Sequence, residues 1–339
     1  MLKLLIPFYV FFILGGLHAQ IADFETIDFK KADSIALSYN KEDLTNLPEL
    51  SHKLTNHLNT DVERFRAIYR WVCANIANDY GLYQKNNSKR QYFKNKPNRL
   101  KAWNIKFRKK LFEKLKNKKR TICTGYAYLI KTLADFANIE SEIVQGYGRV
   151  STTNVETLDL PNHSWNAVKL NGKWYLCDPT WASGIPNSKT GKFKFTYNDG
   201  FFLTEPKLFA VNHFPLEPKW WLLEDNIPSF DQFLKAPVIY GNAYRYLNVL
   251  NAPLDMHHNI KKHEKVVFNY TLKTIVEPED LMLLLDDGGN TKKTKPTSIS
   301  IDGVSLIFEY QFNKVGFYDV HFYLNDNLIS TYTVDVSRN

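Results

Sequence analysis

Apolar residues along the chain follow a helical period first and a strand period later. Phe65, Ile68, Tyr69, Val72, Cys73 and Ile76 recur at three- and four-residue intervals, the spacing of one face of an α-helix. This predicts an amphipathic helix over 61–80, with Cys73 on its packed stripe. Trp103, Phe107, Leu111, Phe112 and Leu115 repeat at near-helical spacing, as do Tyr126, Ala127, Ile130, Leu133, Ala134 and Ala137. The second set predicts a helix over 121–138. Strands are then predicted at 142–150, 162–170 and 173–178. The last two flank Asn171-Gly172, a strong hairpin signal because both residues tolerate positive φ. Beyond about residue 230, stretches 266–276, 298–312 and 317–336 are rich in β-branched and aromatic residues, with breaks at 286–290 and 325–327. Residues 291–297 read as a loop. Helices mixed with strands, then strands alone, predict an α+β domain followed by a small all-β, sandwich-like domain.

The length of 339 residues fits two domains. A hydrophobic fraction of 44% with 14% aromatics excludes global disorder. Residues 1–19 have the form of a signal peptide: Lys3, an apolar core from Leu4 to Leu14, and a small-residue cleavage site at Leu17-His18-Ala19. The core is too short to span a bilayer, and Pro7 and Gly15-Gly16 weaken a helix there. No later run is long and apolar enough to cross a membrane. The expectation is a mature chain from Gln20, secreted or periplasmic, with no transmembrane helix after cleavage. Its domains would be 20–230 and 231–339. Three cysteines cannot make a disulfide framework.

Charge changes the picture in one place. Residues 81–122 hold sixteen Lys or Arg against one acid, Glu113, about +15 locally, although the whole chain is +9. The reading is a helix with one buried stripe and a basic outer face. An anionic polymer or an acidic substrate would be drawn to it. Nucleic acid is not expected, because export takes the chain away from it.

Three residues carry candidate chemistry. Cys123, in T-I-C-T-G-Y-A, lies at the start of a predicted helix. Partial positive charge there lowers the pKa of a thiol. Gly125, two residues on, is expected to leave space for a substrate. A two-residue Asn171-Gly172 turn sets opposed residues to sum to 343, so Trp165 faces Asp178. His163, two residues before Trp165, then shares a sheet face with Asp178, within side-chain reach. A three-residue turn would put them on opposite faces. Together the three make a Cys-His-Asp set: Cys123 as nucleophile, His163 as its acid–base partner, and Asp178 fixing the imidazole. The Cys123 backbone N–H is a natural oxyanion donor. For a second donor, Trp103 is the one candidate at hand.

T-I-C-T-G-Y-A, N-H-S-W-N-A-V and W-Y-L-C-D-P-T-W, in that order and with spacings of 40 and 15 residues, resemble the motifs of the transglutaminase-like superfamily. R-A-I-Y-R-W-V-C-A-N-I, F-F-L-T-E-P-K-L-F and H-F-P-L-E-P-K-W resemble its branch of kyphoscoliosis-type peptidases. The resemblance covers roughly residues 45–225. It implies a papain-like fold, with Cys123 on a helix packed against a sheet that carries His163 and Asp178. It also implies a cysteine-dependent amidase, secreted if the N-terminal segment directs export, working on protein or peptide substrates through a thioester, with peptidase slightly favoured over transglutaminase. The alternative is an inactive scaffold or adhesion protein of the same fold.

No cofactor or metal is called for. There is no EF-hand loop, and His257, His258 and His263 complete no known ligand spacing and read as a solvated loop. Cys177 alternates away from Asp178 and reads as core. Asn86, Asn162 and Asn269 begin N-x-S/T sequons, relevant only in a eukaryotic secretory route.

Overall fold

A computed structural model describes residues 21–187 and 190–338. Residues 1–19, where a signal peptide is expected, lie outside the described residues. Helices α1 (Lys30–Ser38), α2 (Leu47–Thr55) and α3 (Asp61–Asn75) come first. A capping box between Thr60 and Glu63 opens α3. The helix stops five residues short of the expected end. Ile76 turns extended, and β1 (Ala77–Asn78) pairs in parallel with β2 (Arg120–Thr121). Asp79 then caps α4 (Tyr80–Phe93). The basic stretch is thus two helices, α4 and α5 (Pro97–Lys118), broken where Pro97 begins α5. They share a small apolar seam of Leu82, Phe107, Leu111 and Ile122.

Helix α6 (Cys123–Phe136) packs across β3 (Ser141–Gly148) and β4 (His163–Leu170). These strands belong to a four-stranded antiparallel sheet ordered β5-β4-β3-β8, with β5 at Lys173–Cys177 and β8 at His213–Pro215. Helix α7 (Pro179–Ser183), a small hairpin of β6 (Gly184–Pro186) and β7 (Phe193–Phe195), and α8 (Pro206–Asn212) lie between β5 and β8. Gly125 is buried, and a Cβ there would collide with the Thr121 side chain. That glycine lets β2 close on α6. It does not open a path for substrate.

The C-terminal part is two packed sheets. One is β10 (Leu247–Ala252), β12 (Lys265–Leu272), β16 (Ser305–Gln311) and β15 (Ser298–Asp302), in the order β10-β12-β16-β15. The other runs β11 (His257–Lys261), β18 (Asn327–Ser337), β17 (Gly316–Leu324), β13 (Leu281–Asp286) and β14 (Thr291–Thr294), with β9 (Val238–Ile239) also on β18. Inward Val266, Phe268, Tyr270 and Leu272 alternate with outward residues. Phe308–Phe322 and Tyr270–Phe322 ring contacts at 4.7 and 5.3 Å join the sheets. Two loop expectations need correction. Residues 291–294 form a lysine-bearing edge strand, β14, a composition that blunts further pairing. His257 and His258 lie on β11, paired in parallel with β18. Between the two parts, α9 (Phe230–Lys235) packs Phe230 and Phe233 on Phe214, while α10 (Ala243–Tyr246) sets Tyr244 against Phe201.

Candidate active site

The hairpin register decides the site. Asn166 pairs with Cys177 and Leu170 with Lys173, across a two-residue turn whose Asn171 and Gly172 have φ of 50° and 82°. His163 and Asp178 therefore share a face, and His163 Nε2 donates to Asp178 Oδ2 at 2.7 Å. Asp178 is also the N-cap of α7. Its Oδ1 accepts the backbone N–H groups of Thr180 and Trp181 at 2.8 and 3.1 Å.

Cys123 opens α6 with no side chain capping the first turn; the Gly125 and Tyr126 N–H groups turn back to the Ile122 carbonyl, which leaves the N–H of Cys123 itself as the α6 donor nearest the thiol. With Nε2 committed to Asp178, Nδ1 is the ring nitrogen left for the thiol, whose Sγ also lies 4.0 Å from the Asn162 carbonyl oxygen. Burial alone would raise the thiol pKa. The hydrogen bond and charge of His163, with the Ser164 N–H, outweigh burial and bring the thiol below its ordinary value. Burial would lower His163. The charge of Asp178 and hydrogen bonds to Asp178 and Cys123 instead lift it to about 10. Asp178 is buried too, which favours protonation, but the two imidazoles beside it hold its carboxyl well below the usual range. These shifts favour a thiolate–imidazolium pair near neutral pH.

Three features were not legible in the sequence pattern. His213, from β8, places Nε2 3.1 Å from the same Asp178 Oδ2. His163, Asp178 and His213 are the only described residues with three donor atoms close enough to hold a cation. Both nitrogens aim at the carboxylate at hydrogen-bond distance, so the arrangement is a hydrogen-bonded trio. Tyr83, on α4, packs against the apolar seam that contains Ile122, the residue before Cys123. Asn162, given no site role above, is braced by Gly148: its Oδ1 accepts the Gly148 N–H at 2.7 Å, and its Nδ2 donates to the Gly148 carbonyl at 2.9 Å. Trp103 does not reach the site, since its indole N–H donates to Asn86 at 3.0 Å.

Trp181 stacks on His163 with centroids 4.6 Å apart and 17° between planes, shielding the ring from water. Helix α4 clasps the segment before His163: Arg90 donates to the Pro161 carbonyl at 2.7 Å, and Lys94 pairs with Asp159 at 2.6 Å. Helix α4 therefore borders the site.

Residues 48–179 match the family model described as the transglutaminase-like superfamily. Residues 48–179 are a transglutaminase-like domain. Kyphoscoliosis peptidase of Homo sapiens is 33% identical over 213 residues, 62% of this chain and 28% of that protein. Hillarin of Drosophila melanogaster is 25% identical over 300 residues, 83% of this chain and 33% of that protein. The chain thus spans about a third or less of the length of these curated relatives. A solved TGase aligns over 53% of this chain and 40% of its own, at 15% identity and a TM-score of 0.27. The transglutaminase-like domain has the α+β architecture that the motif order implied, and a β-rich region follows it.

All three thiols in the chain are free. Cys73 and Cys177 are buried away from solvent, and burial raises both thiols well above the ordinary value. In native protein, Cys123 is expected to alkylate first, with Cys73 and Cys177 reacting only on unfolding. Peptide mapping after a short iodoacetamide pulse measures this; equal labelling of all three would contradict it.

Proposed function

We propose that Cys123, His163 and Asp178 form the catalytic triad of a cysteine-dependent amidase acting on protein or peptide amides, with hydrolysis favoured over amine transfer. The observation that supports this most is His163 standing between a buried carboxylate and a thiol at a helix N-terminus. The preference for hydrolysis leans on the peptidase name of the relatives.

The thiolate of Cys123 attacks the amide carbon, and the carbonyl oxygen takes up the negative charge. The Cys123 N–H at the start of α6 faces that oxygen. His163 gives its Nδ1 proton to the leaving nitrogen, the C–N bond breaks, and a thioester remains. His163, now neutral, takes a proton from water, whose oxygen adds to the thioester carbon. The acid leaves and the thiolate returns. An amine in place of water would give transfer. Asp178 holds the imidazole in the tautomer that keeps Nδ1 toward sulfur.

Two measurements test the reading. Iodoacetamide should alkylate Cys123 near pH 6, where an unperturbed thiol with pKa about 8.5 is almost wholly protonated. Mass spectrometry of casein incubated with the protein and a primary amine should show cleaved peptides in excess of amine adducts. A thiol that reacts only above pH 8, with casein unchanged, would favour the inactive scaffold instead.

We further propose that the α4–α5 face attracts an anionic polymer or acidic substrate outside the cytoplasm, as the export signal implies. Lys109, Lys110, Lys116 and Lys118 are exposed on α5. Lys119 is half-buried at the helix C-terminus, with its ammonium over the Trp71 ring, and is not part of that face. Replacing the four exposed lysines with Gln should weaken binding of dextran sulfate. The wild type should lose affinity on the order of tenfold between about 50 and 300 mM salt, and the variant should lose less. Identical salt curves would show that the face serves solubility alone.

A further inference from the structure

His213 is fully buried and takes no part in the steps above, yet it shares an oxygen with the group that does. Its position follows from the sheet. On β3, Gly146 pairs with His163 of β4, and Gly148 pairs with His213 of β8. A Cβ at Gly148 would stand 2.8 Å from the His163 Cβ. Because the strand between them carries glycine there, the two imidazoles close over it, with ring centroids 5.5 Å apart. Both reach Asp178 Oδ2, at 2.7 and 3.1 Å, while Oδ1 is taken by two backbone N–H groups. Rings seat His213 on every side: Phe209 stacks at 3.6 Å, and Trp165 and Trp181 lie at 5.0 and 4.4 Å.

The hydrogen-bond inventory assigns the tautomer. An ionised carboxylate only accepts, so Nε2 of His213 must donate. Nδ1 lies 3.2 Å from the Phe209 carbonyl, which already accepts the His213 backbone N–H. A neutral ring has one N–H to give, and the ionised carboxylate is the stronger of the two acceptors, so the proton stays on Nε2. Burial, with the charge of His163, pushes His213 down to about 4, which agrees with a neutral ring carrying its proton on Nε2.

We propose that His213 is a positioning residue: as a neutral Nε2–H donor it holds Asp178 Oδ2 in place and disperses its charge, so that Asp178 grips the His163 imidazolium less tightly. This rests on the triad reading and deepens it. A histidine that must release its proton to a leaving amine and then accept one from water is hindered if its aspartate holds it too firmly. Sharing Oδ2 with a second donor weakens that hold without adding charge. The groups facing this cluster are His163 from β4, Cys123 and Tyr126 from α6, Tyr69 and Cys73 from α3, Cys177 from β5 and Tyr244 from α10. At neutral pH the charged ones are Asp178 and the Cys123–His163 pair.

The test uses the full chain, with nitrogen-15 in its histidines. In the wild type, His213 should show a neutral ring protonated at Nε2 from about pH 6 to 8. A proton on Nδ1 instead would overturn the proposal, and this needs no mutant to fold. In His213→Phe, which keeps a ring and removes the donor, the His163 titration should move upward by roughly one pH unit. In His213→Gln, whose amide can replace the Nε2 donor, it should stay at the wild-type midpoint. An unmoved midpoint in His213→Phe would show that the ring only fills space. Failure of the triad reading looks different: the wild-type Cys123 would then lack low-pH alkylation, whatever the state of His213.

Discussion

Replacing Cys123 with Ser is expected to lower amide turnover by five to six orders of magnitude, roughly the loss found when a triad nucleophile is removed. A serine hydroxyl is nearly the same size but stays protonated near neutral pH, so it offers His163 no anion. Because the Cys123 thiolate helps to raise His163, its imidazolium should release its proton at lower pH in the variant. The fold should hold, since Cys123 packs as a small side chain at the head of α6. Turnover of a cleaved casein peptide and the denaturation midpoint are the two readouts. Activity within tenfold of wild type, with an unchanged midpoint, would remove Cys123 from the role.

Asp178→Asn is expected to cost on the order of ten-thousandfold in turnover. The Asn amide would place an NH2 group or a lone, uncharged oxygen where both imidazoles donate, and His163 would lose both its orientation and the charge that sustains its imidazolium. A pH effect follows. Asp178 has a lowered pKa in the folded state, so its contribution to stability is complete above its unfolded value and is lost as pH falls toward the folded one. Wild-type stability should therefore drop between about pH 5 and pH 2, and the drop should be shallower in Asp178→Asn. Urea titrations at several pH values measure both curves. Parallel curves would mean that the carboxyl is not held ionised as described.

The sequence read well wherever the physics is local. Apolar periodicity marked α3 and α6 because a packed helix repeats its buried face every three to four residues. It missed the ends, since the stop of α3 depends on β1 pairing with a strand more than forty residues away. The loop reading held for 295–297 but missed 291–294 for a related reason: an edge strand's outer side need not carry apolar residues, so β14 shows no hydrophobic alternation. Gly125 was read as room for substrate, but its partner is the Thr121 side chain, a packing fact that composition cannot contain.

For the site, the sequence by itself determined two relations. Cys123 begins a helix, and Asn171-Gly172 permits a tight turn that puts His163 and Asp178 on one face. Both follow from backbone geometry over short spans, where residue identity and spacing suffice. Only the tertiary structure decided the rest. It laid α6 across β3 and β4 so that the thiol meets His163, brought Tyr83 in from α4 against the seam that contains Ile122, and stacked Trp181 over the imidazole. It also carried His213 to Asp178 through the pairing of β8 with β3, across a strand that carries glycine at that row. No turn links those two strands directly, so no local signal sets their register. It comes from the sum of packing over the whole sheet and the layer above it.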